Sequence, residues 1–209
     1  RLLSLPPGPT SNLTFTILLS YIIQILSSLS YRTTLSSLLR SNTLPLTTHL
    51  SSILLSRPYP PTYRLGGGWT APVMGPYAAD MMFQPGLATL QIHRWITSSM
   101  VHGSLFHIFF NLSTLQSLPP FLSPIVSGPP GYILTFLFST LTGNLLHWML
   151  NPSTPVLGAS GGICGLLGLA WITLNRSGRK TESSGVLKRV GYLLLLGCFV
   201  PGVSNASHA

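Results

Sequence analysis

Acidic residues are almost absent from this chain. Asp80 and Glu182 are the two acids among its 209 residues, and charged residues of both signs make up only 6% of the sequence. A water-soluble domain usually carries about 25% charged residues. Hydrophobic residues, in contrast, make up 45%, and the mean hydropathy is +0.46. This balance predicts a membrane protein, and the length suits one domain.

Basic residues are sparse as well, although they outnumber the acids. Eleven Lys and Arg give a formal net charge of +9, but they form no dense stripe with interleaved aromatic residues. Such a stripe is typical of nucleic-acid binding, so we expect no nucleic-acid partner. Five of the eleven lie in the segment 176–189. Because basic segments beside membrane spans favour the inner side, we place this segment there.

The chain has two cysteines and no cluster typical of a metal site. Cys164 and Cys198 both lie in apolar runs, which predicts packed thiols rather than a disulfide framework. His93, His102 and His107 are separated by nine and five residues and lack a carboxylate partner, so zinc is not expected. No cofactor is predicted.

Apolar runs predict an all-α membrane protein with six transmembrane helices. The first five predicted spans are 13–29, 104–118, 131–150, 160–174 and 187–200. We expect a sixth to begin near residue 204 and to be truncated at the end of this chain. Residues 1–11 are predicted to be a flexible leader, and residues 12–209 a membrane domain. A long loop of about residues 33–94, rich in proline and glycine, separates the first two spans.

A serine between glycines opens the fourth predicted span. Pro152 and Pro155 interrupt the chain before it, and Gly158 permits backbone angles that other residues resist. Ser160 should therefore lie in the first helical turn. Backbone N–H groups in that turn have no intrahelical partner and favour a nearby anion. Ser160 is thus a candidate nucleophile, and an oxyanion that forms beside it would be stabilised there.

The same stretch also has a purely structural interpretation. Gly161, Gly165 and Gly168 recur at helical spacings of four and three, which predicts a small-residue face where a neighbouring helix comes close. Short patterns of this kind are common in membrane helices. Other residues of the chain must therefore decide whether Ser160 has a catalytic role.

A polar pair lies near the start of the second predicted span. His107 and Asn111 are four residues apart, about one helical turn, so both side chains point to the same side. A polar pair inside a membrane helix is costly unless it faces protein or water, which makes both residues functional candidates. Two further histidines are interpreted structurally. His102 is predicted to be a loop residue hydrogen-bonded to backbone, and His147 an interfacial residue at a helix end.

Together these residues resemble the rhomboid family of intramembrane serine proteases. The resemblance rests on Gly158-Ala159-Ser160-Gly161 at the fourth span, His107-x-x-x-Asn111 in the second and His208 at the start of the sixth. It extends over about residues 72–209. The Trp-Arg loop motif of the family corresponds here to Arg94-Trp95, in reversed order.

The resemblance implies a chemistry and a class of substrate. Ser160 would be the nucleophile and His208 its general base, with no carboxylate in the dyad. His107 and Asn111 would stabilise the oxyanion together with the Ser160 backbone N–H. The substrates would be transmembrane segments of other proteins in the lipid bilayer. The compartment of that membrane is not indicated.

Two other functions stay open from sequence alone. An inactive rhomboid-like protein could bind and escort membrane clients, although such a protein need not keep the dyad and the oxyanion pair. A small transporter would also place polar residues in spans two and three. Many transporters have internal repeats and acidic residues within their membrane spans. This sequence shows no internal repeat and no acid within a predicted span.

Overall fold

Helices dominate the structure, a computed structural model that describes residues 11–39, 64–65, 69–70, 75–87, 90–103, 105–118, 122, 126 and 128–199. In chain order the helices are α1 Ser11–Leu39, α2 Gly75–Met81, α3 Arg94–Thr97, α4 Leu105–Gln116, α5 Gly128–Leu150, α6 Ser160–Arg176 and α7 Lys180–Phe199. A 3-10 turn, Ser98–Met100, follows α3 directly. Two short strands, β1 Arg64–Leu65 and β2 Trp69–Thr70, pair antiparallel, with Arg64 opposite Thr70.

One face of α1 is turned toward the rest of the protein, and the other is exposed. Leu13, Ile17, Tyr21 and Gln24 are buried at steps of four, four and three residues. The opposite face carries exposed large apolar side chains: Phe15, Leu18, Leu19, Ile22 and Ile23. A helix that buries the amide of Gln24 and exposes several large apolar side chains suits lipid rather than water as its surroundings.

Among the described helices, α5 alone combines the length and hydropathy needed to cross a bilayer. It has 23 residues, which at the usual rise per residue span about 34 Å. Gly128 has a φ of 70° and is followed by Pro129 and Pro130. Prolines are tolerated in the first turn because the N–H groups there have no intrahelical acceptor. The helix therefore starts at 128 rather than at the predicted 131.

The other predicted spans coincide with α1, α4, α6 and α7. α4 has 12 residues and α6 has 17, while the apolar part of α1 forms a shorter segment, Ser11–Ser27. α7 begins at Lys180 with a polar turn, seven residues before the predicted start at Leu187. The predicted leader lies outside the described residues except for Ser11, which begins α1. The predicted sixth span also lies outside them.

The predicted long loop, residues 33–94, is partly helical. The backbone of α1 continues to Leu39, and α2 occupies Gly75–Met81. Tyr77 Oη lies 3.1 Å from Ser20 Oγ, so α2 is held against α1. A seven-residue helix is too short to be stable alone and depends on such contacts. For this reason the local pattern of proline and glycine predicted an irregular loop where the structure has a helix.

The end of the same segment is attached to the turn that precedes α6. Phe83 and Val156 exchange two backbone hydrogen bonds, of 3.0 and 2.9 Å. Nearby, four buried apolar side chains form a small cluster beneath α2: Ala78, Met82, Val101 and Leu157. The segment before α3 is therefore part of the framework that positions the start of α6.

Glycines let α5 and α6 approach closely. The core between α4, α5 and α6 contains Ile108, Leu115, Phe136, Ile163, Leu166 and Leu167. A Cβ atom at Gly162 would lie 2.8 Å from Thr140 Oγ1, and one at Gly165 would overlap Ser139. A Cβ at Gly168 would have no neighbour within 4 Å. Among the described residues the contact is centred between Gly162 and Gly165, about 90° around the helix from Gly168.

Candidate active site

Ser160 is the first residue of α6, in the first helical turn as its flanking residues predicted. Its side chain is 5% exposed. Gly158, two residues earlier, has a φ of 116°, a conformation that favours glycine. The Gly158 N–H donates a hydrogen bond of 2.9 Å to the carbonyl oxygen of Ser98. The turn that presents Ser160 is therefore fixed to the 3-10 turn after α3.

His107 and Asn111 lie directly against this turn. Both side chains are buried on the same face of α4, at 5% and 1% exposure. A Cβ atom at Gly158 would lie 2.7 Å from His107 Nε2 and 3.8 Å from Asn111 Nδ2. The imidazole therefore occupies the space that any side chain at Gly158 would need, and the amide lies at van der Waals distance from it. The structure brings together three of the four residues that the sequence predicted to form the site.

The imidazole of His107 and the amide of Asn111 each have an N–H group close to this turn. His107 Nδ1 accepts a hydrogen bond of 3.4 Å from the Gly103 N–H, so the proton of the neutral ring is on Nε2, which faces Gly158. Asn111 Nδ2 is buried and donates no hydrogen bond to any residue that the structure describes. A buried donor without a partner is rare in folded proteins. Two N–H groups thus lie against the turn at Gly158, two residues before Ser160, an arrangement suited to a developing negative charge.

His102 holds the backbone immediately before Ser160. Its ring is fully buried, and its Nε2 accepts a hydrogen bond of 3.3 Å from the Ala159 N–H. Burial and the neighbouring His107 hold the pKa of His102 well below its ordinary value, and a backbone hydrogen bond with Met100 offsets this only in part. The ring is therefore neutral near pH 7. The prediction of a loop histidine bonded to backbone is confirmed.

The neutral His102 makes the stability of the protein depend on pH. Because its pKa is lowered by folding, the unfolded chain binds a proton that the folded chain does not. The contribution of the neutral ring to the free energy of unfolding is fully present above the pKa of histidine in the unfolded chain, about 6.5. Below that pH it falls by about 1.4 kcal/mol per pH unit. We expect the midpoint of thermal unfolding to be lower at about pH 5.5 than at about pH 7.5.

Two variants assign this effect to one ring. His102→Gln keeps an acceptor for the Ala159 N–H but does not titrate, so its unfolding midpoint should change less between the two pH values. His93→Gln alters an exposed ring near the surface and should keep the full change. An equal change in both variants and in the unmodified protein would contradict the assignment.

A glutamine in α1 binds the main chain of His102. Gln24 Nε2 donates a hydrogen bond of 2.7 Å to the His102 carbonyl oxygen, and Gln24 Oε1 accepts one of 3.1 Å from the His102 N–H. Gln24 is 1% exposed. Sequence reasoning missed this residue. Its signal was present, since Gln24 is the one amide within the apolar run 13–29 and a polar group there needs a partner.

Arg94 anchors the segment before α3 from the inside. It is 4% exposed and donates a hydrogen bond of 3.0 Å to the Met82 carbonyl oxygen. Its guanidinium also binds the side chain of Gln91 and lies 3.9 Å from the Asp80 carboxylate. A buried guanidinium with several acceptors fixes the backbone around it. Arg94 therefore connects the residues that follow α2 with those that precede α3.

Trp95 joins the segment to α5. Its ring packs edge-on against Phe83 and Trp148, with centroids 4.9 and 5.8 Å apart. The Trp95 carbonyl oxygen accepts a hydrogen bond of 2.8 Å from Asn144 Nδ2, which also donates one of 3.0 Å to Ser98 Oγ. Asn144 thus connects α5 to the turn that binds Gly158.

His147 is buried rather than interfacial, which corrects its predicted position. It is 2% exposed, and its Nε2 lies 2.7 Å from the carbonyl oxygen of Thr154. The chain after α5 folds back over the last turn of the helix and covers the ring, so the end of the helix does not place this side chain at the surface.

Two other residues were singled out in the sequence, His208 and Cys164. The predicted general base, His208, lies outside the described residues, so its distance from Ser160 is not part of the structure. Cys164, one turn after Ser160, has a free, half-buried thiol. Within the described ranges, no three His, Cys, Asp or Glu side chains are grouped so as to hold a metal ion.

The fold and this arrangement define a helical membrane protein with a serine at the start of one helix and a polar pair from another helix facing it. A model of the Rhomboid domain matches residues 89–209, more than half of the chain. The chain therefore belongs to the rhomboid family and is an integral membrane protein, and the resemblance seen in the sequence is confirmed.

A protein from Toxoplasma gondii, "Rhomboid-like protease 3", is also similar to this chain. The two are 23% identical over 145 residues, which cover 66% of this chain and 51% of the other. The chain thus aligns with about half the length of this relative. No solved structure matches the chain.

Proposed function

We propose that this protein is an intramembrane serine endopeptidase that hydrolyses peptide bonds in or near transmembrane segments of other membrane proteins. The observation that carries the proposal is the convergence of His107 Nε2 and Asn111 Nδ2 on the turn at Gly158, directly before Ser160. A structural role alone would not require the buried Asn111 amide to keep a donor that no described residue accepts, next to the turn that leads into Ser160. The similarity to a rhomboid-like protease agrees with this chemistry.

In this proposal Ser160 Oγ attacks the carbonyl carbon of the scissile peptide. His208, on a sixth transmembrane helix, takes the serine proton and then gives it to the leaving amine as the C–N bond breaks. Water then attacks the acyl-enzyme with the same histidine as base, which releases the second product and restores Ser160. The dyad has no third, carboxylate member, which agrees with a composition of two acids, neither of which lies in a predicted span.

The oxyanion of each tetrahedral intermediate would lie between α4 and the start of α6. His107 Nε2–H and Asn111 Nδ2–H donate to it, together with the Ser160 backbone N–H. These donors are already fixed by burial and by the Gly103 hydrogen bond, so they need little reorganisation when charge develops. Donors of this kind stabilise the transition state more than the substrate, and they therefore act on kcat.

Removing one donor tests this role. We expect Asn111→Ala to lower kcat for a reporter substrate with one transmembrane segment by about 100- to 1,000-fold, with little change in KM. Gln116→Ala removes an exposed amide from the last turn of the same helix and should leave both constants unchanged. Cleavage by the Asn111 variant at the normal rate would remove this residue from the mechanism.

The non-catalytic alternative predicts a different outcome for the unmodified protein. A protein that only binds and escorts membrane clients would retain the reporter substrate without cleaving it. It would also leave Ser160 unlabelled by a fluorophosphonate probe. Retention of the substrate with neither cleavage nor labelling would replace the protease proposal by this one.

A further inference from the structure

Gln24 in α1 binds the same peptide unit of the main chain that binds the His107 ring. Gln24 Nε2 donates a hydrogen bond of 2.7 Å to the His102 carbonyl oxygen. That carbonyl forms one peptide unit with the N–H of Gly103, which donates a hydrogen bond of 3.4 Å to His107 Nδ1. The C=O and N–H of a trans peptide point in opposite directions. Gln24 therefore binds one side of this peptide unit, and His107 binds the other.

The bond between Gly103 and His107 is sensitive to the orientation of this peptide unit. A hydrogen bond from a backbone N–H is usually no longer than about 3.2 Å, so at 3.4 Å a small rotation of the peptide plane is enough to break it. The second Gln24 bond, of 3.1 Å from the His102 N–H to Gln24 Oε1, restrains the preceding peptide unit as well. One side chain thus fixes two successive peptide units.

Burial makes these bonds difficult to replace. Gln24 is 1% exposed, and His102 is fully buried. A buried carbonyl oxygen that loses its donor cannot take one from water, so the peptide unit must turn to find another partner. A donor at a carbonyl also polarises the peptide unit and strengthens the bond made by the N–H at its other end. Gln24 therefore both orients the Gly103 N–H and strengthens its bond to His107.

Other contacts hold α1 in place beside this peptide unit. Ser20 Oγ lies 3.1 Å from Tyr77 Oη of α2, and the Tyr21 ring packs edge-on against the His102 ring with centroids 6.4 Å apart. A side chain carried by a packed helix positions its partner more precisely than one carried by a loop. The Gln24 amide is therefore a fixed support rather than a mobile one.

We propose that Gln24 is a positioning residue for the oxyanion donor of His107. It holds the peptide unit whose N–H keeps the His107 proton on Nε2, the nitrogen that faces Gly158. This inference rests on the proposed function and adds α1 to the elements that support the oxyanion. Gln24 acts on a donor that stabilises the transition state, so its loss should change kcat rather than KM.

Gln24→Leu tests the inference by removing both hydrogen bonds from a side chain of similar size. We expect kcat for a reporter substrate with one transmembrane segment to fall by about 10- to 100-fold with little change in KM, because displacing a catalytic group by about 1 Å can cost about 100-fold. Ser20→Ala is the matched control, since it removes another buried polar group from the same helix. It should leave kcat unchanged. A normal kcat in Gln24→Leu, or equal losses in the two variants, would overturn the inference.

A double-mutant cycle tests the route through His107. His107→Ala alone should lower kcat by about 100- to 1,000-fold. Because Gln24 acts through this ring, Gln24→Leu should add no further loss in the His107→Ala background. Losses that multiply would show that Gln24 acts through other groups, and the assignment would then be wrong.

A spectroscopic measurement separates this inference from the proposed function. In the purified full chain with ¹⁵N-labelled histidine, the resonance of His107 Nδ1 reports whether this nitrogen accepts a hydrogen bond, and its loss in His107→Ala identifies it. Gln24→Leu should move this resonance toward the position of a free ring nitrogen, whereas Ser20→Ala should not. The measurement needs no cleavage. An unmodified chain that did not cleave the reporter would refute the proposed function, whereas an unchanged resonance in Gln24→Leu would refute the role of Gln24.

Discussion

Replacement of Ser160 with alanine is expected to abolish cleavage of a transmembrane reporter substrate. The variant keeps the small side chain that the first turn of α6 accommodates but lacks the hydroxyl, so no acyl-enzyme can form. Loss of a serine nucleophile usually lowers kcat by at least about 10⁴-fold, because the remaining donors cannot replace the covalent step. Cleavage is measured on purified protein reconstituted with the substrate, and labelling by a fluorophosphonate probe should be lost in parallel.

Cys164→Ala is the control for this experiment. Cys164 lies one turn further along the same helix and is the other potential nucleophile near the site. Its replacement should leave the cleavage rate unchanged. His208→Ala should lose activity as Ser160→Ala does, because the serine would then have no general base. Cleavage that survives in the Ser160 variant but not in the Cys164 variant would move the nucleophile to the thiol.

Gly158→Ala is expected to cause the second large loss, of about 1,000-fold or more in cleavage rate. The new Cβ would lie 2.6 Å from His107 Cε1 and 2.7 Å from His107 Nε2, so the ring or the turn must move. The φ of 116° is also unfavourable for alanine. Both effects displace the donors from Ser160, and the variant should also unfold at a lower temperature.

Gly168→Ala adds the same single carbon to α6 without either problem. A Cβ at Gly168 has no neighbour within 4 Å, and this residue lies in the middle of the helix. Alanine there should stabilise the helix by up to about 1 kcal/mol and leave cleavage unchanged. If the two variants had equal activity, the contact between His107 and the turn would not matter for catalysis.

The start of α6 could be predicted because the signals are local. Pro152 and Pro155 interrupt the chain, Gly158 adopts a positive φ, and Ser160 follows as the first helical residue. The common orientation of His107 and Asn111 likewise follows from their spacing on one helix. What the spacing could not supply is their distance from Gly158, which depends on how α4 packs against α6.

The residues that sequence reasoning misplaced depend on contacts between distant segments. His147 is buried because the chain after α5 covers it, and the last turn of a helix gives no sign of such a cover. Within the described residues, α5 packs against Gly165, which the spacing predicted, and against Gly162, which it did not. α2 is stabilised by its contact with α1 through Tyr77 and Ser20 rather than by a periodic pattern of its own.

The hydrogen bonds of Gln24 have a consequence for how this family member can vary. Both go to the peptide groups of residue 102, so they are indifferent to the side chain at that position. The first helix can therefore keep its attachment when the imidazole is exchanged, and only the link to Ala159 requires a hydrogen-bond acceptor in the side chain at residue 102. The attachment of α1 and the hydrogen bond that positions the turn before Ser160 are therefore independent of each other. Evolution or protein engineering can alter one without losing the other.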